Sequence, residues 1–277
     1  ATSEYASFST RGTSELTLSA TAEPVEIRSG LSYAYITQFS YGIFESLNLI
    51  APRIQGGGSQ EDLGTSSEIY EYLIKQGASR QQAKGFSQNV PTYWGDQPIL
   101  EAPAYVGVVV VFLAFLALFS GWNTNKRWLF FGILLSLTLS WGKNFSFLTQ
   151  FFIDYVPLYS KFRAVSSIQV LLELAFPVLA TLGLYEFFNA SKEVQIQALK
   201  KTIFSFLGLG IALFLVKGML SFEGASDSYY SQAMGPELMQ QIYKARKAVY
   251  TEDIIRLLIL AVMVGGILWA FALQKLK

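Results

Sequence analysis

The stretch VSSIQVLLELAFPVLATLGLYEFF at 165–188 decides the fold. Roughly 20 predominantly apolar residues in a helix cross about 30 Å of hydrocarbon, and this run reaches that length with only two carboxylates, Glu173 and Glu186, along it. Further apolar runs lie on either side, at 104–121, 128–141, 202–222 and 254–273. The run at 128–141 is short and diluted by Thr138 and Ser140, but Trp128 and Trp141 bracket it as an interfacial aromatic belt would. The pattern predicts a mainly α, polytopic membrane helix bundle over 101–277, with about five spans, preceded by a mixed polar region over 1–100.

Composition points the same way. Of 277 residues, 52% are hydrophobic and 15% charged, whereas a soluble domain carries about 25% charged residues. The deficit is concentrated after position 100. A net charge of +1 gives no reason to expect nucleic acid as a partner. The sequence has no Cys and no His, which excludes disulfides, thiol catalysis and the usual zinc sites, and leaves acid–base chemistry to carboxylates, Lys or Tyr. The chain starts at Ala1 with no leading apolar span, so it reads as the C-terminal part of a longer protein.

The polar region reads in pieces. Residues 1–24 alternate Ser/Thr with apolar side chains, as a strand or extended loop does. In 31–50, Leu31, Tyr35, Phe39 and Ile43 recur at helical spacing, fitting either an interfacial helix or a core helix of the polar region, although Gly42 weakens both. GGGS at 56–59 reads as a flexible break. Ser66, Ser67 and Glu68 open a short helix with Ile69, Tyr72 and Leu73 on one face, and PTYWGDQP at 91–98 is a turn-rich approach to the bundle. Between the second and third runs, 145–159 carries Phe145, Leu148, Phe152, Tyr155 and Tyr159 on one side and is interrupted by Asp154 and Pro157, the pattern of an interfacial or re-entrant amphipathic helix.

Cations set the orientation. With the N-terminal region outside, Lys126, Arg127, Lys192, Lys200, Lys201, Lys275 and Lys277 fall inside, and Lys143, Lys161, Arg163, Lys244, Arg246, Lys247 and Arg256 outside. The two sets are equal in number, but the inner one is packed into shorter segments, which favours an extracytoplasmic N-terminal region. Lys244, Arg246 and Lys247 belong to a helical pattern at 236–250 that reads as a solvated surface helix.

The segment WGKNFSFLTQFFIDYVPLYSKFRAVSS holds the candidate site. Lys143, Lys161 and Arg163 stand among aromatics at the outer mouth of the bundle. Such cations suit a lipid phosphate or diphosphate, Arg offering two parallel hydrogen bonds; they equally serve as plain helix-end anchors. Arg163, Ser166, Gln169 and Glu173 follow at spacings that share one helix face, with Glu173 roughly 15 Å beyond Arg163. A carboxylate at that depth needs a wet cavity or a partner, and Lys217 is the expected one, for packing or to line a substrate cavity. Gln38, Glu45, Arg53 and Arg11 are further polar candidates that spacing does not place. There is no phosphate loop, nucleophile elbow or metal motif.

WGKNF (141–145) with KFRAVSSIQVLLELAFPVLA (161–180), together with YITQFSYGIFESLNLIAP (35–52) and YWGDQP (93–98), resembles bacterial YfhO-family membrane proteins. That family is similar to GT-C-type glycosyltransferases dependent on polyprenyl-phosphate sugars. The resemblance implies an inner-membrane, multi-pass enzyme moving a sugar from a polyprenyl-phosphate donor to an envelope polymer or glycolipid, with membrane lipid around it. It also implies a catalytic carboxylate in a first outer loop, acting as base or as contact for a divalent cation. That loop is expected upstream of Ala1, so no catalytic residue is assigned and substrate contacts rest on Lys143, Lys161, Arg163, Glu173 and Lys217. The alternatives are a non-enzymatic membrane scaffold or accessory subunit, and a transporter of a lipid-linked substrate.

Overall fold

The computed structural model describes residues 31–273; the strand or loop expected at 1–24, with Arg11, and the terminal Lys275 and Lys277 lie outside the described residues. The chain is predominantly helical, and the β-type pairing among the described residues is an isolated bridge between Glu61 and Val90. A single turn, α1 (Tyr33–Ile36), and a 3-10 segment (Phe44–Leu49) come first. Next are α2 (Glu68–Lys75), capped by Ser67, and α3 (Arg80–Ser87), opened by a reciprocal capping box between Ser79 and Gln82. The bundle follows as α4 (Val108–Phe119), α5 (Thr124–Ser140), α6 (Ser146–Tyr155), α7 (Gln169–Asn189) and α8 (Lys192–Val216). Two helices complete it, α9 (Asp227–Met234) and α10 (Pro236–Ala272).

Three helical runs, Val165–Asn189, Lys192–Met219 and Pro236–Ala272, are long and apolar enough to cross a membrane, and on that basis the chain is a membrane protein. The runs expected at 104–121 and 128–141 fold as α4, with 12 residues, and α5, with 17. At 1.5 Å per residue these reach about 18 and 26 Å.

The sequence-based expectations need correction at three places. Residues 31–50 are not one helix: the chain leaves the helical path between Ile36 and Phe44, and Ile43 is exposed while Ile36 is buried. GGGS is a packed turn rather than a flexible break. Gly56 sits at φ +93°, and a Cβ there would collide with the Thr92 carbonyl, whose own hydroxyl donates to the Gly56 carbonyl. The pattern at 236–250 is no separate surface helix but the first part of α10, which runs 37 residues without interruption.

α4 lies at the centre of the bundle against α7 and α8, with α5 on the far side of α7 and α10 against α8. Helices in lipid gain little from apolar contact alone and associate through close packing at small residues. At Gly183 on α7, a Cβ would lie 2.5 Å from that of Ala117 on α4, so the two backbones meet there with no room for a side chain. Phe112, Phe206 and Leu257 are buried between helices, while Leu174, Phe204, Leu215 and Ile267 face outward as lipid-facing side chains should.

Two residues of α10, Arg246 and Asp253, tie the polar region to it. The Arg246 guanidinium, 0% exposed, makes a two-bonded pair with Asp227 at 2.7 and 2.8 Å. It also donates to the carbonyls of Phe222, Pro91 and Tyr93 at 2.8, 3.1 and 3.1 Å. One residue thus holds α9, the 91–93 turn and α10 together, beside an apolar cluster of Ile69, Val90, Met239 and Ile242. Further along, buried Asp253 accepts from the backbone N–H and Nε of Arg53 at 2.6 and 3.0 Å. Removing one partner of a buried pair strands the other and costs about 3–5 kcal/mol. Arg246→Met should therefore lower the thermal unfolding midpoint of the detergent-purified protein sharply, and Arg246→Met with Asp227→Leu should recover much of the loss.

Candidate functional site

Residues 31–41 are laid along 140–166 by backbone and hydroxyl bonds. Leu31 N–H donates to the Ser160 carbonyl at 3.0 Å, Tyr41 N–H to that of Ser140 at 2.8 Å and Ser166 N–H to that of Phe39 at 3.2 Å. Lys143 N–H donates to Ser40 Oγ at 2.9 Å, and the Asn144 amide to the Tyr41 carbonyl at 3.0 Å. Pairing of this kind satisfies backbone groups that neither irregular segment could satisfy alone. It brings together parts of the sequence about a hundred positions apart.

Two adjoining grooves result, and Tyr33 lines both. One, the polar groove, of about 580 Å³, carries the polar side chains of Thr37, Gln38, Asp96, Gln97 and Lys143 among apolar ones such as Ala34 and Pro98. The other, of about 730 Å³, runs along α6 between Phe147, Gln150, Phe151, Asp154 and Tyr155. Phe147 is 80% exposed and Tyr155 74%. Aromatic side chains left open in this way on a ten-residue helix suit the headgroup level of a bilayer. Val156 is extended and Pro157 follows, which ends α6.

The five residues singled out from the sequence do not form one cluster. Lys143 is exposed in the polar groove. Arg163 lies just behind it: Nη2 donates to Gln38 Oε1 at 2.7 Å, Nη1 donates to the Tyr35 hydroxyl at 3.3 Å, and the guanidinium stacks 4.6 Å from the Tyr35 ring and 5.0 Å from that of Phe39. Its Nε is buried without a partner. Lys161, half-buried in the 3-10 turn Tyr159–Lys161, lines neither groove. The expected single face from Arg163 to Glu173 does not form, because α7 begins only at Gln169 after a 3-10 turn at Val165–Ile168 and left-handed Ala164. Glu173 does not meet Lys217, whose ammonium donates to Thr251 Oγ1 at 2.6 Å.

Behind the polar groove lies a buried carboxylate. Glu45, 0% exposed, accepts from Gly42 N–H at 2.6 Å, the Tyr93 hydroxyl at 2.6 Å and the Gln97 amide at 3.3 Å. Asp96, which opens into the groove, stands next to it. Tyr33, Asp96 and Gln97 were not read from the sequence as site residues; the available signal was the turn-rich YWGDQP, which placed two polar side chains where the backbone cannot be helical. Among the described residues no group of three or more His, Cys, Asp or Glu side chains gathers as for a metal ion. No protein-family model matches the chain, and neither a curated protein nor a solved structure is similar to it.

Burial raises the Glu45 carboxyl above its ordinary 4.5, with the Asp96 charge adding to the shift, while the Tyr93, Gly42 and Gln97 donors oppose it. The folded chain therefore holds this proton more tightly than the unfolded chain. Its contribution to stability is greatest below 4.5 and declines as pH rises through the folded-state value. Unfolding midpoints measured from acid to neutral pH should show that decline, and Glu45→Gln should flatten it.

Proposed function

We propose that this chain is part of a GT-C-like membrane glycosyltransferase of the YfhO type, which transfers a sugar from a polyprenyl-phosphate donor to an envelope polymer or glycolipid. In this reading α4 and α5 complete a five-span bundle in the bacterial inner membrane, and the polar region with both grooves is extracytoplasmic. The observation that carries it is the pair of grooves meeting at Tyr33. A lipid-linked sugar needs a polar seat for its head beside an aromatic path for its chain, and the two grooves offer both at the level of α6. Lys143 would contact the donor phosphate directly and stabilise it as the leaving group. Arg163 would act from behind, holding Gln38 in place and adding positive charge.

A charge-assisted hydrogen bond to phosphate contributes about 1.5–3 kcal/mol, or roughly 10- to 150-fold in rate. Lys143→Ala should lower sugar transfer by about that factor while the protein accumulates normally in the membrane, and Lys143→Arg should retain most of it. Transfer is measured in membranes supplied with lipid-linked donor, and envelope glycans are compared with those of a strain lacking the gene. Unchanged transfer by Lys143→Ala would remove the groove from the mechanism. If loss of the gene deletes no defined sugar, the scaffold reading replaces the enzymatic one.

A further inference from the structure

Arg53 takes up two neighbouring carboxylates of α10 and so leaves a cation of that helix without a counter-charge. Its guanidinium pairs with Glu252 at 3.3 Å and with Asp253 at 3.0 Å. Arg256 stands four and three residues further along, the spacings at which a helix brings acidic and basic side chains together. Yet among the described residues no carboxylate lies within ion-pair distance of Arg256. Its guanidinium lies instead over the Tyr105 ring, 5.6 Å from the centroid. Tyr105 is held from the other side. The N–H groups of Val106 and Gly107 both donate to the Leu49 carbonyl, at 3.0 and 3.1 Å, which fixes the chain just ahead of α4.

This pair sits at the lipid boundary. Arg256 is two residues inside the apolar run 254–273, within a helix long and apolar enough to cross a membrane. Both Arg256 and Tyr105 are exposed. About one and two turns deeper on the same side of α10, Ile259 and Met263 are exposed as well, as is Val109 at the start of the neighbouring α4. A guanidinium is a planar fork that meets a phosphate with two parallel hydrogen bonds, and a tyrosine hydroxyl beside it is a further donor at headgroup level. Snorkelling alone leaves a long cationic side chain free in the headgroup layer. Here the ring holds it in one orientation, above apolar side chains that a soluble anion does not need.

We infer that Arg256 and Tyr105 form a binding site for the phosphate of an anionic phospholipid, whose chain lies over Val109, Ile259 and Met263. The lipid supplies the counter-charge that Glu252 and Asp253 do not, and it joins the start of α4 to α10. The site does not depend on the glycosyltransferase reading, because neither residue lines a groove.

A ligand that binds only the folded state raises stability with concentration, shifting the folded-to-unfolded ratio about tenfold when its concentration is about ten times the dissociation constant. The test titrates delipidated, detergent-purified protein with dioleoyl phosphatidylglycerol, with dioleoylglycerol, which has the same chains and no phosphate, and with inorganic phosphate. The unfolding midpoint should rise saturably with phosphatidylglycerol and stay level with the other two. Arg256→Gln should abolish that rise, and Tyr105→Leu, which removes the ring and the hydroxyl, should weaken the apparent affinity several-fold. No rise, an equal rise with dioleoylglycerol, or an undiminished rise in Arg256→Gln overturns the proposal. An equal rise with inorganic phosphate overturns it too, since the site then takes a free anion. If Arg256→Gln fails to fold, native mass spectrometry of the wild type and Tyr105→Leu carries the test. Wild type that retains no more phosphatidylglycerol than dioleoylglycerol, or no more than Tyr105→Leu does, also overturns the proposal.

Discussion

One guanidinium holds α9, the 91–93 turn and the polar half of α10 together. Arg246 is sealed from solvent; its charge is matched by Asp227 and its two terminal nitrogens also donate to three backbone carbonyls, while its Nε has no partner. Such a residue is costly to bury unless its charge is paired and hydrogen-bonded. The demand works as a constraint: α9, the 91–93 turn and α10 can take only the arrangement that meets it. Tyr93, whose carbonyl answers Arg246, directs its hydroxyl to Glu45, so this arrangement also positions the back wall of the polar groove.

Cations that look alike in the sequence do different work. Lys126 is not a free positive charge at the end of a span. Its ammonium is 1% exposed, donates to the carbonyls of Ala117 and Gly121 at 2.7 and 2.9 Å and pairs with Glu186, closing the C-terminal end of α4. Arg246 is equally committed, on the other side of the count. Both leave the surface tally by which orientation is judged, and the comparison then rests on the residues still exposed among those described, Arg127, Lys192, Lys200 and Lys201 against Lys143, Lys244, Lys247 and Arg256.

How much was legible in the sequence depends on whether the signal was local. The apolar runs gave α7, α8 and the membrane half of α10 because length and hydropathy are properties of contiguous residues. Ser67 and Pro157 marked helix ends for the same reason. The continuity of α10 was hidden, since 236–250 is polar and the apolar run begins only at 254; nothing in the spacing shows that one helix serves water and lipid in turn. The grooves were hidden more deeply. Tyr33, Asp96 and Lys143 come from three separate stretches whose meeting depends on backbone bonds between irregular segments, which carry no periodicity to read. Lys143 stands out in the sequence because it sits among aromatics, and Asp96 does not because it sits among turn residues.

α10 has one further consequence. Its 37 residues contain no proline beyond the first position and no break, so it is a rod about 55 Å long. One half is clamped to the polar region through Arg246 and Asp253, and the other is packed among α8 and α4. A stiff strut anchored at both ends transmits angle rather than absorbing it: a rocking of about 5° at one end displaces the other by about 5 Å, roughly one helical turn. A tilt of the polar half of α10 is therefore carried along to its apolar half.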